Sequence, residues 1–312
     1  MGLALAALAL AACSGGAGAP STAPGGCRSL NVIASTSILG DVAGEAAGLP
    51  AGVEVLMPPG ADPHSFQASA SQVAAVREAD LVVVNGLGLE EGLHTVLEEA
   101  AADGVAVVEA AAFVEALPLA AGDQGPAGEG EEGASDPHLW QDPRRMAQVA
   151  AGLGEAFAAA DPACAGRRRA AAAGYRDRLL ALDAEVEAAL ASIPAANRIL
   201  VTNHHTLGYF ADRYGFEVAG VIIPGGATLA EPSPADLAVL VSVLRASGVR
   251  AVFAENTRPA SLAATLAAEL GGDVVVVSLY TDSLGGAGTG ADTYIGMMRT
   301  NAGRIAAALG EP

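Results

Sequence analysis

From residue 29 onward the chain alternates short, continuous apolar runs with longer stretches in which apolar residues recur every three or four positions. SLNVIAS (29–35), VEVLM (53–57), DLVVVNG (80–86) and VAVVEA (105–110) have the length and β-branched content of buried strands. Between them, SILGDVAGEAAG (37–48), SASQVAAVREA (69–79) and GLHTVLEEAA (92–101) have helical spacing. Alternation of this kind predicts a parallel sheet covered by helices.

Residues 120–135 break the pattern. AAGDQGPAGEGEEGAS holds glycines and acids and almost nothing to bury, which predicts a mobile surface loop. Helical spacing returns in PRRMAQVAAGLGEAFAAA (143–160). Residues 164–193 then run without proline, rich in helix formers, up to Pro194. They predict a helix of about 30 residues, roughly 45 Å at 1.5 Å per residue, long for a compact domain.

The alternation then resumes: RILVTN, HTLGYFADRYG, FEVAGVII, SPADLAVLVSVLRASG, VRAVFAEN, PASLAATLAAELG, DVVVVSLYT and ADTYIGMMRTNAGRIAAALG. Thr228–Pro234 is the expected linker into a capped helix. The predicted class is α/β, with two lobes, each a mainly parallel sheet flanked by helices, joined by one long rigid helix. The expected boundaries are 28–162 for the first lobe, 163–194 for the linker helix and 195–312 for the second lobe.

The first residues predict export. MGLALAALALAAC is an uncharged apolar run too short to span a bilayer as a helix. Residues 1–12 read as a signal peptide and LAAC as a lipobox, with Cys13 the lipid-modified residue and 13–27 a flexible spacer. An ordinary secretory signal that happens to contain a cysteine is the alternative. No Lys or Arg precedes the run, a departure that leaves the true start codon open. With Cys13 lipidated, Cys27 and Cys164 remain in an oxidising compartment, where they either pair or stay two unrelated thiols.

Composition narrows the ligand class. The chain of 312 residues is 52% hydrophobic, and its 35 acidic against 16 basic residues give a formal charge of −19. That balance argues against a nucleic-acid surface and for a field that mildly attracts cations.

In open α/β sheets, ligands bind in loops at the carboxyl ends of strands. Four of the five histidines and one aspartate fall at such positions. His64 and His138 each close an Asp-Pro-His tripeptide, in which proline stiffens the approach to the imidazole. His204 and His205 follow RILVT, and Asp282 follows the last predicted strand. Each has a plainer reading, a surface histidine or a helix-capping aspartate, and His94 lies within a helix as a structural or exposed residue. Three imidazoles and a carboxylate together would suit a divalent transition metal, zinc above all.

LMPPGADPHSFQAS, ADLVVVNGLGLE, DPHLWQDP, VTNHHTLGYFADRYG and TDSL with DTYIGMMRTN resemble the substrate-binding lipoproteins of zinc and manganese ABC importers (the cluster A-I solute-binding proteins). The resemblance spans nearly the whole mature chain. It implies one Zn2+ in a cleft between two lobes, held by His64 and His138 from the first and His204 and Asp282 from the second. It places Glu255 near the site, behind the ligands and not among them, and Trp140 and His205 are the other candidates for that supporting role. The partner it implies is a membrane ABC permease, with loading by a metallochaperone left open. The expected state is a monomer, lipid-anchored on the outer face of the cytoplasmic membrane or periplasmic.

Manganese-type members tend to carry a carboxylate where this chain has His204, so three nitrogens favour zinc and leave Mn2+ as the alternative. The histidine-rich loop of many zinc importers is not matched, because residues 120–135 contain no histidine. A zinc hydrolase is the competing class; a fourth protein ligand at Asp282 would close the coordination position that catalytic zinc keeps open. A metal-storage protein or adhesin could share the same residues. Consecutive side chains in an extended chain point to opposite faces. Only one of the doublet is therefore expected to enter the cleft; the resemblance implies that it is His204, with His205 a second-sphere or solvent-facing neighbour whose loss costs little.

Overall fold

The computed structural model describes residues 26–48, 52–119, 134–223, 233–271 and 274–310. The signal peptide, Cys13, most of the acidic loop (120–133) and most of the expected linker at Thr228–Pro234 (228–232) lie outside them.

The first lobe holds strands β1 (Val32–Thr36), β2 (Val53–Met57), β3 (Leu81–Val84) and β4 (Ala106–Glu109), with helices α1 (Ser37–Ala47), α2 (Ala70–Arg77) and α3 (His94–Ala102) between them. All pairs are parallel, in the order β2-β1-β3-β4. The second lobe repeats the plan with β5 (Ile199–Thr202), β6 (Glu217–Val221), β7 (Ala251–Glu255) and β8 (Val275–Leu279), in the order β6-β5-β7-β8. Its helices are α6 (Gly208–Tyr214), α7 (Pro234–Ser247), α8 (Ser261–Leu270) and α9 (Tyr294–Leu309). Each sheet changes winding direction beside its first strand, which opens a crevice at the carboxyl ends.

Local chemistry sets the switches from strand to helix. Thr36 ends β1, and its hydroxyl accepts the amide of Leu39 at 3.1 Å to start α1. Ser69 with Gln72, and Ser233 with Asp236, form capping boxes at α2 and α7. Asp142 caps α4 (Pro143–Ala160), which has proline in its first turn.

Helix α5 (Ala165–Leu190) has 26 residues, about 39 Å at 1.5 Å per residue. It is shorter than the expected span because Pro162–Cys164 winds as a 3-10 turn ahead of it and a further turn follows Leu190. It is no free-standing rod. It packs on α1 and α4 in the first lobe and on α9 in the second, with Tyr175, Leu179, Leu182 and Val186 in a core continuous across both lobes. A Cβ at Gly154 on α4 would lie 2.4 Å from the Cβ of Ala172, so glycine permits the close approach of α4 to α5.

The base of α5 is fastened twice. Cys27 and Cys164 are joined in a disulfide with Cα atoms 5.4 Å apart, which sets aside the two-thiol alternative. Arg168, fully buried, donates to the carbonyls of Ala47 and Arg28 at 3.0 and 3.2 Å and to Asp161 at 3.2 Å. On either side of residues 120–133 the described chain is bonded, with the Leu119 amide donating to the carbonyl of Ala134 at 2.8 Å. Among the described residues no helix is long and apolar enough to cross a membrane.

Candidate metal centre

The carboxyl ends of the two sheets face each other, and the residues singled out by position converge between them. Both Asp-Pro-His tripeptides fold alike. Asp62 Oδ1 accepts the backbone amide of His64 at 3.0 Å, and Asp136 Oδ1 accepts that of His138 at 2.9 Å. Each aspartate thus forms a local turn that aims the imidazole two residues on. Asp136 Oδ1 also lies 2.7 Å from Nδ1 of His138, and Asn85 at the end of β3 fixes the same loop by donating to the Pro137 carbonyl at 2.8 Å.

In the second lobe the chain leaves β5 at Asn203, and Glu255 at the end of β7 takes hold of His204. Its Oε1 accepts the His204 amide at 2.9 Å, and both carboxylate oxygens lie 2.8 Å from Nδ1. With Nδ1 engaged, Nε2 is the ring nitrogen left to face the cleft.

Three Nε2 atoms meet there. Those of His64 and His138 are 3.2 Å apart, as are those of His138 and His204. Asp282 lies beside them. Its Oδ1 accepts the Thr206 hydroxyl at 3.1 Å, while Oδ2, buried and without a hydrogen-bond partner, lies 3.6 Å from His204 Nε2. Exposure is 5% at His64, 0% at His138 and His204 and 2% at Asp282, so the cluster is shielded from bulk solvent.

The electrostatics follow from this crowding. Burial, reinforced by His138, His204 and Arg258, pushes the His64 pKa down to about 2. Burial also works against charge on His204, but Glu255 and Asp282 outweigh it and raise its pKa to about 9. Burial raises Asp282 against the pull of His204. Three imidazole nitrogens and a carboxylate oxygen without a hydrogen-bond partner, buried and aimed at one point, form a donor set that a cation would complete.

The structure therefore brings together His64, His138, His204 and Asp282. Glu255 stands behind His204. Trp140 stacks edge-on to His138 with ring centroids 5.2 Å apart, and its indole donates to the Thr281 carbonyl at 2.5 Å. His205 is buried at 6% exposure with Nε2 3.7 Å from Asp136 Oδ2, so the solvent-facing alternative is corrected. His94 is exposed on α3, 3.3 Å from Glu98, as expected for a residue outside the site.

Asp62, Asp136 and Thr206 were not singled out from the sequence as orienting groups, although the repeated Asp-Pro-His tripeptide carried the signal for the first two. Bonds between the lobes close the cleft. The Ser283 hydroxyl accepts the Gly60 amide at 2.7 Å, and Tyr209 and Tyr294 donate to the carbonyls of Asp136 and Trp140, each at 2.7 Å.

Comparison with known proteins gives one family, described as zinc-uptake complex component A, periplasmic, which matches residues 32–308. The manganese-binding lipoprotein MntA of Bacillus subtilis is 34% identical over 94% of each chain. The zinc-binding protein TroA of Treponema pallidum is also 34% identical, over 81% of this chain and 80% of its own. The solved structure of that periplasmic zinc-binding TroA superposes with a TM-score of 0.80 at 30% identity, covering 90% of this chain and 99% of the other.

Proposed function

Since the chain belongs to the zinc-uptake complex component A family, we propose that it is the extracytoplasmic receptor of a metal ABC importer, capturing one Zn2+ ion as cargo. It is a binding protein, not an enzyme. His64, His138 and His204 offer Nε2 and Asp282 offers Oδ2 to the ion, closing it off between the lobes.

The observation that carries the reading is the spacing of the donors. Zinc bound tetrahedrally at about 2.0–2.1 Å needs neighbouring donors about 3.3–3.4 Å apart. The distances here are 3.2, 3.2 and 3.6 Å. Three nitrogens and one oxygen favour zinc, whereas manganese suits oxygen-rich octahedral sites. The manganese reading is kept as the alternative because MntA, 34% identical, is named for that metal.

In this reading Cys13 carries the lipid anchor, as in relatives named lipoproteins, and a membrane permease receives the ion. Isothermal titration of metal-stripped protein with Zn2+ and Mn2+ separates the two metals. Tight 1:1 zinc binding that His138→Ala abolishes is expected. Preference for manganese would overturn the zinc assignment, and binding of neither would overturn the receptor reading.

A further inference from the structure

We propose that His205, the second histidine of the doublet, is a positioning residue of the metal centre that acts on His138 through Asp136. The inference rests on the metal-binding reading above and adds a residue to it.

Asp136 is buried at 1% exposure, and its two oxygens have unequal surroundings. Oδ1 takes both the amide and Nδ1 of His138, whereas Oδ2 has no hydrogen-bond partner. The His205 imidazole faces that second oxygen, with Nε2 3.7 Å away. An N–H dipole at this range, in a site buried from bulk solvent, steadies the carboxylate more than it would in solvent.

The pair sits in a niche built for it. A Cβ at Gly208 would lie 2.5 Å from Asp136 Oδ2 and 2.7 Å from His205 Nε2. Gly208 is not among the residues with positive φ, so its role is room and not backbone freedom. The next residue, Tyr209, holds the same aspartate by its carbonyl. The start of α6 is thus shaped around Asp136.

The consequence reaches the ion through two contacts. Asp136 holds His138 with Nδ1 as donor and Nε2 as ligand, and a carboxylate partner makes a ligating imidazole more basic. Without His205, Oδ2 loses the imidazole that faces it. The carboxylate then turns away from His138 or admits water, and the imidazole loses its fixed direction.

The test compares zinc affinity, by chelator competition, for the unaltered chain, His205→Ala, His205→Gln, Gly208→Ala and His138→Ala. Proton NMR of each zinc-loaded protein follows the downfield Nδ1–H signal of His138. His205→Ala is expected to weaken zinc about 10-fold, and His205→Gln, which returns an N–H near the Nε2 position, to stay within about 3-fold. The imidazole signal should move in the alanine variant and recover in the glutamine variant. Gly208→Ala keeps both side chains but forces them apart, and it should weaken zinc about as much as His205→Ala. Unchanged affinity in His205→Ala or Gly208→Ala would overturn the proposal, as would equal weakening in the alanine and glutamine variants. If His138→Ala binds zinc normally, the metal reading itself falls, and this proposal with it.

Discussion

Glu255 holds His204 at two points, the backbone amide at 2.9 Å and Nδ1 at 2.8 Å, so one carboxylate fixes both the position and the tautomer of the imidazole. Glu255→Gln should therefore raise the zinc dissociation constant about 10- to 100-fold. It should also bring the His204 pKa down from about 9 towards its ordinary value of 6.5. Chelator competition measures the first effect, and NMR titration of the metal-free protein measures the second.

The four donors should cost more than their supports. Alanine at His64, His138, His204 or Asp282 removes a ligand outright, and each loss is expected to exceed the roughly 100-fold upper range of an orienting residue. Isothermal titration that found any one variant within tenfold of the unaltered chain would remove that residue from the ligand set.

Proton release should accompany capture. With a pKa near 9, His204 is protonated at pH 7 in the metal-free protein, while His64, near 2, is already neutral. Zinc must displace the His204 proton, so affinity should rise about tenfold per pH unit up to about pH 9. Titrations in two buffers of different ionisation enthalpy should report close to one proton released from this residue.

The same two groups bend the stability of the metal-free fold in opposite directions. His204, raised from 6.5 to about 9, adds stability that is complete below 6.5 and is lost as pH rises through 9. His64, lowered from 6.5 to about 2, adds stability present above 6.5 and lost as pH falls towards 2. Their joint contribution peaks near 6.5. Urea unfolding at several pH values, compared with that of the His64→Ala and His204→Ala proteins, isolates it.

Arg168→Met should destabilise the fold by about 3–5 kcal/mol, because it strands the buried Asp161 carboxylate and two carbonyls while leaving the metal centre untouched. Denaturant unfolding measures the loss. Zinc affinity should not change.

A chain beginning at residue 26 should show no free thiol until reduced, since Cys27 and Cys164 are paired. Reduction should lower stability by about 2–5 kcal/mol. A count of two thiols in unreduced, unfolded protein would contradict the pairing.

Much of this was legible in the order of residues. Apolar runs such as VEVLM and helical spacing such as PRRMAQVAAGLGEAFAAA coincide with β2 and α4, because local periodicity selects the element when one face must be buried. The placement of His64, His204 and Asp282 after strands followed from the same alternation, since ligand loops of parallel sheets lie at carboxyl ends; His138 instead lies between the acidic segment and α4. Element ends were less legible. Where α5 begins depends on the 3-10 turn at Pro162–Cys164 and on the tertiary fastening by Arg168 and the disulfide.

By itself, then, the sequence determined the alternating elements, the two-lobed α/β class and the residue types able to hold a cation, all of which are properties of neighbours along the chain. Tertiary structure alone decided which atoms face one another. It turned His204 inward by way of Glu255, 51 positions away, and set His205 against Asp136, with Gly208 leaving the room. The reason is physical: periodicity constrains which face of an element is buried, while donor geometry depends on contacts between segments far apart in the chain.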